Sequence, residues 1–216
     1  MLKQLLSVFL ESRCPCCQRT TPTTVCKYCL KKLSSHQLSQ SDRLKLYREL
    51  SVFAWGKYDG QLKRAIATMK YNNQPELGTL LGKLLGEAWV NSEQIKSLPK
   101  ITVVPIPLHR QKLKARGFNQ AETIAKSFCR VTGSTLQSQA LIRMKQTKAM
   151  FDLKDLTQRA KNIQGAFRIG NKLPKHPVLL IDDIYTTGTT VQESARVLQQ
   201  AKIKVVGVAV VAKAGK

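Results

Sequence analysis

Acidic residues are scarce in this chain of 216 residues, in which 13 Asp and Glu stand against 36 Lys and Arg. The resulting formal net charge of +23 leaves the fold open, but it predicts attraction to partners that carry phosphate groups. Aromatic residues are also few, at 6% of the chain, so we expect any binding to nucleic acid to depend mainly on charge.

Long apolar runs are absent as well, so the sequence predicts no transmembrane segment. The short apolar run at residues 5–10 lacks the length and the small-residue cleavage site of a secretory signal. We therefore expect a soluble, cytoplasmic protein whose thiols are reduced. The apolar residues within 1–12 recur at helical spacing and predict a short amphipathic helix.

Hydrophobic residues make up 43% of the chain, enough for a core, and the length predicts one medium domain with a small appendage. We place the boundary near residue 50, between a cysteine-rich segment at 1–50 and a main domain at 51–216. Strand and helix patterns alternate in the main domain, which predicts an α/β fold with a parallel sheet covered on both faces. The predicted strands are 51–55, 101–104, 135–143, 166–169, 178–181 and 205–211, and the predicted helices are 62–69, 77–89, 121–131 and 191–200.

Five of the six cysteines lie within residues 13–32, and four of them form two C-x2-C pairs, Cys14 with Cys17 and Cys26 with Cys29. Four thiolates at this spacing can close a tetrahedral shell on Zn²⁺, and a closed shell is structural because it has no open position. Cys16 could replace Cys17 as a ligand. The alternative is a set of free or disulfide-bonded cysteines, which a reducing compartment disfavours. Cys129 lies in a predicted helix and is interpreted as a core residue.

The most informative stretch, VLLIDDIYTTGTT at residues 178–190, joins an apolar strand to two aspartates, a Thr/Gly loop and a helix. Such a loop offers backbone N–H groups, hydroxyls and a helix N-terminus to a phosphate. Asp182 and Asp183 come at the carboxyl end of the strand, where α/β sheets bind ligands, and could accept hydrogen bonds from two vicinal hydroxyls. The pattern predicts a site for a ribose 5-phosphate.

This stretch resembles the signature of the type I phosphoribosyltransferases, which bind phosphoribosyl pyrophosphate (PRPP) together with Mg²⁺. The resemblance implies that Asp182 and Asp183 hold the ribose 2′- and 3′-hydroxyls. It implies that the 5′-phosphate is cradled by Thr186, Thr187, Gly188, Thr189 and Thr190. Purine-salvage members have an aspartate where this chain has Thr186, which weighs against that branch and leaves the acceptor undefined.

A second set of motifs runs along nearly the whole chain: in order, the cysteine pairs, YDG at 58–60, MKY at 69–71, VVPIPLHR at 103–110, RGFNQ at 116–120 and the run from residue 143 to 167. Together these motifs resemble the ComF family, the competence-associated branch of the phosphoribosyltransferase-type proteins. The resemblance implies a type I phosphoribosyltransferase fold with a small N-terminal zinc-binding segment. It also implies that Leu108, His109 and Arg110 lie near the pyrophosphate and that residues 144–161 form a flexible hood over the site.

Basic charge is concentrated at residues 94–151, with eleven Lys or Arg against one acid, Glu122. We predict that Lys112, Lys114 and Arg116 form a nucleic-acid surface, the alternative being a solvated basic loop. Aromatic side chains among basic residues are candidates for stacking on bases, namely Tyr28, Phe118 and Phe151.

Two functions stay open at this point. One is a PRPP-binding protein of natural transformation that handles incoming single-stranded DNA with competence or DNA-uptake proteins. The other is an active phosphoribosyltransferase of nucleotide metabolism with an unknown acceptor. A third and weaker hypothesis is that the protein is a regulator that uses PRPP to control a partner. The sequence motifs assign no catalytic residue to any of these functions.

Overall fold

The computed structural model describes residues 12–47, 50–96, 98–146 and 162–215. Within these residues the strands are β1 (Leu44–Tyr47), β2 (Leu50–Lys57), β3 (Thr102–Pro105), β4 (Thr135–Leu136), β5 (Leu141–Arg143), β6 (Phe167–Ile169), β7 (Val178–Tyr185) and β8 (Val205–Lys213). Six of them form one sheet in the order β1-β2-β8-β7-β3-β4, in which β1 is antiparallel to β2 and the other pairs are parallel. β5 and β6 form a separate antiparallel pair.

The helices are α1 (Lys27–Ser34), α2 (Gln40–Arg43), α3 (Gly60–Tyr71), α4 (Pro75–Val90), α5 (Arg110–Arg116), α6 (Gln120–Thr132) and α7 (Thr189–Gln200), with a 3-10 turn at Glu93–Ile95. They cover both faces of the sheet, because alternate residues of each strand point to opposite sides. Along β7, Leu179 and Ile181 pack with α3, α4 and α6, whereas Val178 and Leu180 pack with α7. The predicted α/β class with a covered, mostly parallel sheet is thereby confirmed.

Helices α4 and α6 approach closely along a stripe of glycines on α4, a contact that no sequence motif predicts. A Cβ atom on Gly82 would lie only 2.9 Å from Cβ of Ser127, and one on Gly86 would lie 2.9 Å from Cβ of Val131. The small residues therefore fix the position of α6 against α4. The first residue of α6, Gln120, reaches the candidate site described below.

One sequence prediction is wrong in detail, since the expected strand at 135–143 is two strands with different partners. β4 pairs with β3 in the main sheet, and β5 pairs with β6 outside it. The chain turns between them, where the carbonyl of Ala140 accepts a hydrogen bond from the N–H of Gly170. β7 also runs four residues further than predicted, so both aspartates lie inside the strand.

The cysteine-rich segment packs directly against the sheet and α3. The N–H of Leu38 donates to the carbonyl of Trp55, and the N–H of Lys57 donates to the carbonyl of His36. Cys14, Cys26 and Leu33 belong to the same apolar cluster as Leu62. The boundary proposed near residue 50 falls between β1 and β2, which pair with each other, and the division stays a prediction.

Two predicted features lie outside the described residues: nearly all of the amphipathic helix at 1–12 and residues 147–161 of the expected hood. Across the part of the chain that is described, no helix combines the length and the apolar character needed to cross a membrane.

Candidate functional site

The corner between β7 and α7 has the geometry of an anion-binding loop, which we call the phosphate loop (residues 186–190). Gly188 precedes α7 with φ of +75°, and a Cβ atom there would lie 2.6 Å from Cζ of Tyr185, so the position requires glycine. The hydroxyls of Thr187 and Thr189 are 2.8 Å apart. The N-cap residue of α7 is Gly188, which has no side chain to cap the helix, so a phosphate can take its first N–H groups.

The phosphate loop forms one wall of a cleft of about 330 Å³, a volume in the range of small-molecule sites. The cleft brings together most of the residues singled out in the sequence: Asp182, Asp183, all five loop residues, Leu108, Lys112 and Arg116. It also contains side chains to which the sequence assigned no role, among them Tyr58, Lys70, Tyr71, Gln120 and Arg143.

Asp183 and Asp182, the acid pair, differ in their surroundings although they are adjacent. Asp183 is 3% exposed, forms an ion pair with Lys70 and accepts a hydrogen bond of 3.3 Å from Nε2 of Gln120. Oδ1 of Asp182 accepts a 2.8 Å hydrogen bond from the backbone N–H of Asp183, and Asp182 remains half-buried at the cleft surface. Asp182 is therefore the more accessible acceptor for a ligand.

Burial raises the pKa of Asp182 well above its ordinary value, and repulsion from the Asp183 carboxylate raises it further. Burial acts in the same direction on Asp183, but Lys70 and the hydrogen bonds from its neighbours outweigh it and lower the pKa of Asp183. Burial alone would lower the pKa of Lys70, yet the adjacent Asp183 raises it. The pair therefore holds its negative charge on Asp183, opposite the ammonium group.

A chain of hydrogen bonds links α5 to the acid pair. Nη1 of Arg116 donates to Oε1 of Gln120, whose amide nitrogen donates to Asp183. In the sequence, Lys70 and Gln120 stand out only as members of the MKY and RGFNQ motifs. The sequence around a polar residue at the end of a helix does not identify the residue with which it pairs. Only the fold shows that these two side chains converge on Asp183.

Three residues expected near a ligand do not line the cleft. Nδ1 of His109 accepts a hydrogen bond of 3.4 Å from the N–H of Gln111 and caps α5. Arg110 lines a neighbouring cavity with Gln139, and Lys114 is exposed. The contacts of His109 and Arg110 with pyrophosphate stay predictions.

The cysteine cluster, Cys14, Cys17, Cys26 and Cys29, places its four sulfur atoms within 4.8 Å of one another. The first pair lies in a tight turn where the N–H of Gln18 donates to the carbonyl of Cys14 at 2.7 Å. Cys26 directly precedes α1, and Cys29 lies in its first turn. This cluster can hold a metal ion, and it contains Cys17 rather than Cys16.

The thiols differ in their ionisation. Burial raises the pKa of Cys14, but hydrogen bonds from the backbone of Cys26, Cys16 and Cys17 outweigh it and bring the value to about 7. Burial raises the pKa of Cys16 to about 11 and that of Cys129 to about 12. Cys129 is thus a weakly acidic thiol that is half-buried and packs against the apolar core without being one of its buried residues.

The surface around the cysteine cluster is basic. Residues 12–41 contain five Lys or Arg and no acid. Tyr28 is 49% exposed, with the guanidinium carbon of Arg19 4.8 Å and Nζ of Lys32 4.6 Å from its ring centroid. The arrangement agrees with a surface that attracts phosphates.

Comparisons with known proteins support this picture. Residues 131–216 match the phosphoribosyl transferase domain. The chain is 27% identical over 190 residues to "DNA utilization protein YhgH" of Salmonella typhi, covering 87% of this chain and 78% of that protein. It is 27% identical over 154 residues to "Competence protein F" of Haemophilus influenzae, which covers 69% of this chain and 66% of that protein. It is 26% identical over 194 residues to "Competence protein ComFC" of Streptococcus pneumoniae, which covers 90% of this chain and 77% of that protein.

The mostly parallel sheet, the phosphate loop and the domain match define a chain with a phosphoribosyltransferase-type domain. The resemblance to the ComF family is confirmed by the similarity to proteins named competence protein F and ComFC. The domain match begins at residue 131, so α3 with Lys70 and the cysteine cluster lie before it.

Replacing Lys70 with Met tests the role of the buried ion pair. The carboxylate of Asp183 would stay buried without its cation, so we expect the free energy of unfolding at pH 7 to fall by about 3 kcal/mol. Urea denaturation measures this loss. Lys63→Met, an exposed position on the same helix, is the matched control, and an equal loss in both variants would contradict the proposed role.

The pH dependence follows from the direction of the Asp183 shift. In the parent, the pKa of Asp183 is lower when folded than when unfolded. The stability it contributes is present at neutral pH and is lost as the pH falls through the folded-state pKa. Without Lys70 we expect the folded-state pKa to exceed the unfolded one, so the deficit of the variant relative to the parent shrinks as the pH is lowered.

Proposed function

We propose that this chain is a ComF-like, PRPP-binding protein of the cytoplasm that acts in natural transformation and handles incoming single-stranded DNA. The observation that supports it most is the convergence of the phosphate loop and the acid pair on one cleft. A phosphate acceptor beside diol acceptors is complementary to a ribose 5-phosphate.

In the proposed complex, the 5′-phosphate lies on the phosphate loop and the ribose hydroxyls donate to the acid pair, chiefly to Asp182. Lys112 and Arg116 line the same cleft and supply positive charge for the pyrophosphate. Among the described residues, Asp182 and Asp183 are the acids of the cleft, and Asp183 is already paired with Lys70. Mg²⁺, which neutralises pyrophosphate charge when bound, would therefore be held mainly by the ligand, with Asp182 as the accessible protein oxygen donor.

We also propose that the cysteine cluster holds a structural Zn²⁺. Zinc–sulfur distances of about 2.3 Å in a tetrahedron place the sulfurs about 3.8 Å apart. Sγ of Cys17 and Sγ of Cys26 are 3.6 Å apart, which fits such a shell. Three of the four thiols are buried, so the metal would lie against the core that the segment shares with α3.

The competence role rests on the relatives, whose names refer to competence and to DNA utilization. Strong basic charge on the cysteine-rich segment and around α5 supports contact with a nucleic-acid backbone. Competence or DNA-uptake proteins are the proposed partners.

Transferase activity is the second candidate, because cations in the cleft could stabilise a departing pyrophosphate. Lys112 and Arg116 are the side chains for that role. Release of pyrophosphate from PRPP in the presence of candidate acceptors distinguishes an enzyme from a binding protein.

PRPP with Mg²⁺ should raise the melting temperature, since a ligand at about 100 times its Kd adds about 2.7 kcal/mol of stability. Asp182→Asn should weaken binding about tenfold in calorimetric titration, because an NH2 group replaces one of the two oxygen atoms that accept hydrogen bonds from the ribose hydroxyls. Asp42→Asn, an exposed position in α2, should bind like the parent. Equal affinity of the parent and Asp182→Asn would refute the assigned ribose contact.

One zinc ion per chain is expected by metal analysis of protein purified under reducing conditions. Cys26→Ser should lose the metal and lower the melting temperature, because metal binding is coupled to folding. Cys16→Ser should keep the metal, since Cys16 lies outside the cysteine cluster. Loss of zinc from Cys16→Ser, or metal-free parent protein, would count against this site.

Binding of single-stranded DNA should weaken steeply with salt. Changing Lys112, Lys114 and Arg116 together to Gln should reduce the salt slope by about two units, because each phosphate contact on a single strand contributes about 0.7. The control changes three exposed lysines elsewhere, Lys83, Lys96 and Lys172, to Gln and removes the same charge. Fluorescence anisotropy across a salt series measures the slope for the parent and for each triple variant. Equal slopes for the two triple variants would show that the basic residues of α5 have no special role in DNA binding.

A further inference from the structure

The phosphate loop packs against the aromatic ring of Tyr185. Tyr185 ends β7, is 5% exposed and belongs to the apolar cluster on the α7 side of the sheet. A Cβ atom on Gly188 would lie 2.6 Å from Cζ and 3.0 Å from Cε2 of this ring, so the ring edge lies directly against the backbone of Gly188. Gly188 is the residue whose left-handed backbone turns the loop into α7, so the ring limits the conformations open to that turn.

Tyr185 is held in turn by residues of two other strands. Its ring centroid lies 5.5 Å from that of Tyr47, at an interplanar angle of 38°. Lys213 pairs with Tyr185 in the register of β7 and β8, and its ammonium group donates a hydrogen bond to the hydroxyl of Tyr47. The carbonyl of Tyr185 accepts a hydrogen bond of 2.9 Å from the N–H of Ala214. These contacts fix both the backbone and the ring of Tyr185.

The contact with Tyr47 connects the phosphate loop to the N-terminal part of the chain. Tyr47 ends β1, the antiparallel edge strand of the sheet, and β1 lies within the predicted cysteine-rich segment at 1–50. Tyr47 is half-buried and packs against the same apolar cluster as Tyr185. The N-terminal segment therefore contacts the residue on which the phosphate loop packs.

A phosphate that binds through backbone N–H groups is held best when those groups already point at one place. A loop that samples several conformations must be ordered on binding, and this ordering lowers affinity. We propose that Tyr185 is a positioning residue whose ring holds Gly188 in the conformation that directs the N–H groups of the phosphate loop at the ligand, and that Tyr47 holds the ring. The inference rests on the proposed phosphoribosyl site and names the residues that preorganise its phosphate end.

The test measures the affinity of the full chain for ribose 5-phosphate and for inorganic phosphate by calorimetric titration. Tyr185→Leu should weaken binding of both about tenfold, because the loop must then be ordered when the phosphate binds. Tyr185→Phe should keep both affinities within about twofold of the parent, because the ring remains in place. Tyr47→Leu should weaken both about threefold, because the ring of Tyr185 loses its neighbour.

Leu198→Ala is the matched control, because Leu198 is fully buried in the same apolar cluster but lies in the last turn of α7, away from the phosphate loop. This variant should lower the melting temperature through its cavity and keep the affinity for ribose 5-phosphate within about twofold. Tyr47 is only half-buried, so Tyr47→Leu tests the same support even if Tyr185→Leu does not fold.

Parent-like affinity of Tyr185→Leu or, should that variant not fold, of Tyr47→Leu would overturn the positioning role and leave the phosphoribosyl site standing. An equal loss in Leu198→Ala would overturn it as well, because affinity would then follow general stability. Binding of inorganic phosphate that needs Tyr185, with no binding of ribose 5-phosphate or PRPP, would uphold the positioning role and refute the phosphoribosyl proposal. Failure of the parent to bind any of these ligands would refute both.

Discussion

The buried ion pair between Lys70 and Asp183 is the constraint on which the cleft depends. Two adjacent carboxyl groups at the end of a buried strand cannot both stay ionised without a counter-charge. Lys70 supplies that charge and Gln120 adds a hydrogen bond, so Asp183 is held while Asp182 faces the cleft. The side chain that looks accessory in the sequence therefore decides which carboxylate is available to a ligand.

Helix α3 connects this ion pair to the cysteine cluster. Leu62 and Ile66 are buried in the apolar cluster that also contains Cys14 and Leu33, while Lys70 at the other end reaches the acid pair. His36, which follows α1, accepts a hydrogen bond of 3.1 Å from the N–H of Gln61 near the start of α3. A metal site that orders the N-terminal segment would thus support the helix that carries Lys70 and Tyr71.

The sequence was informative where one local pattern sufficed. The strand, aspartates, threonine loop and helix at 178–190 predicted the β7–α7 corner, and the spacing of Cys14, Cys17, Cys26 and Cys29 predicted their convergence. Pairings between distant segments left no such pattern. The division of 135–143 depends on partners in β3 and β6, and the roles of Lys70 and Gln120 depend on packing of α3 and α6 around β7.

A crystal structure of the chain with ribose 5-phosphate is the most direct test of the central claim that the cleft binds a phosphoribosyl group. The phosphate should lie on the backbone N–H groups of the phosphate loop, with the 2′- and 3′-hydroxyls within hydrogen-bond distance of Asp182 and with Lys70 still paired to Asp183. An empty cleft at saturating ligand, or a phosphate bound only on the basic surface around α5, would contradict it.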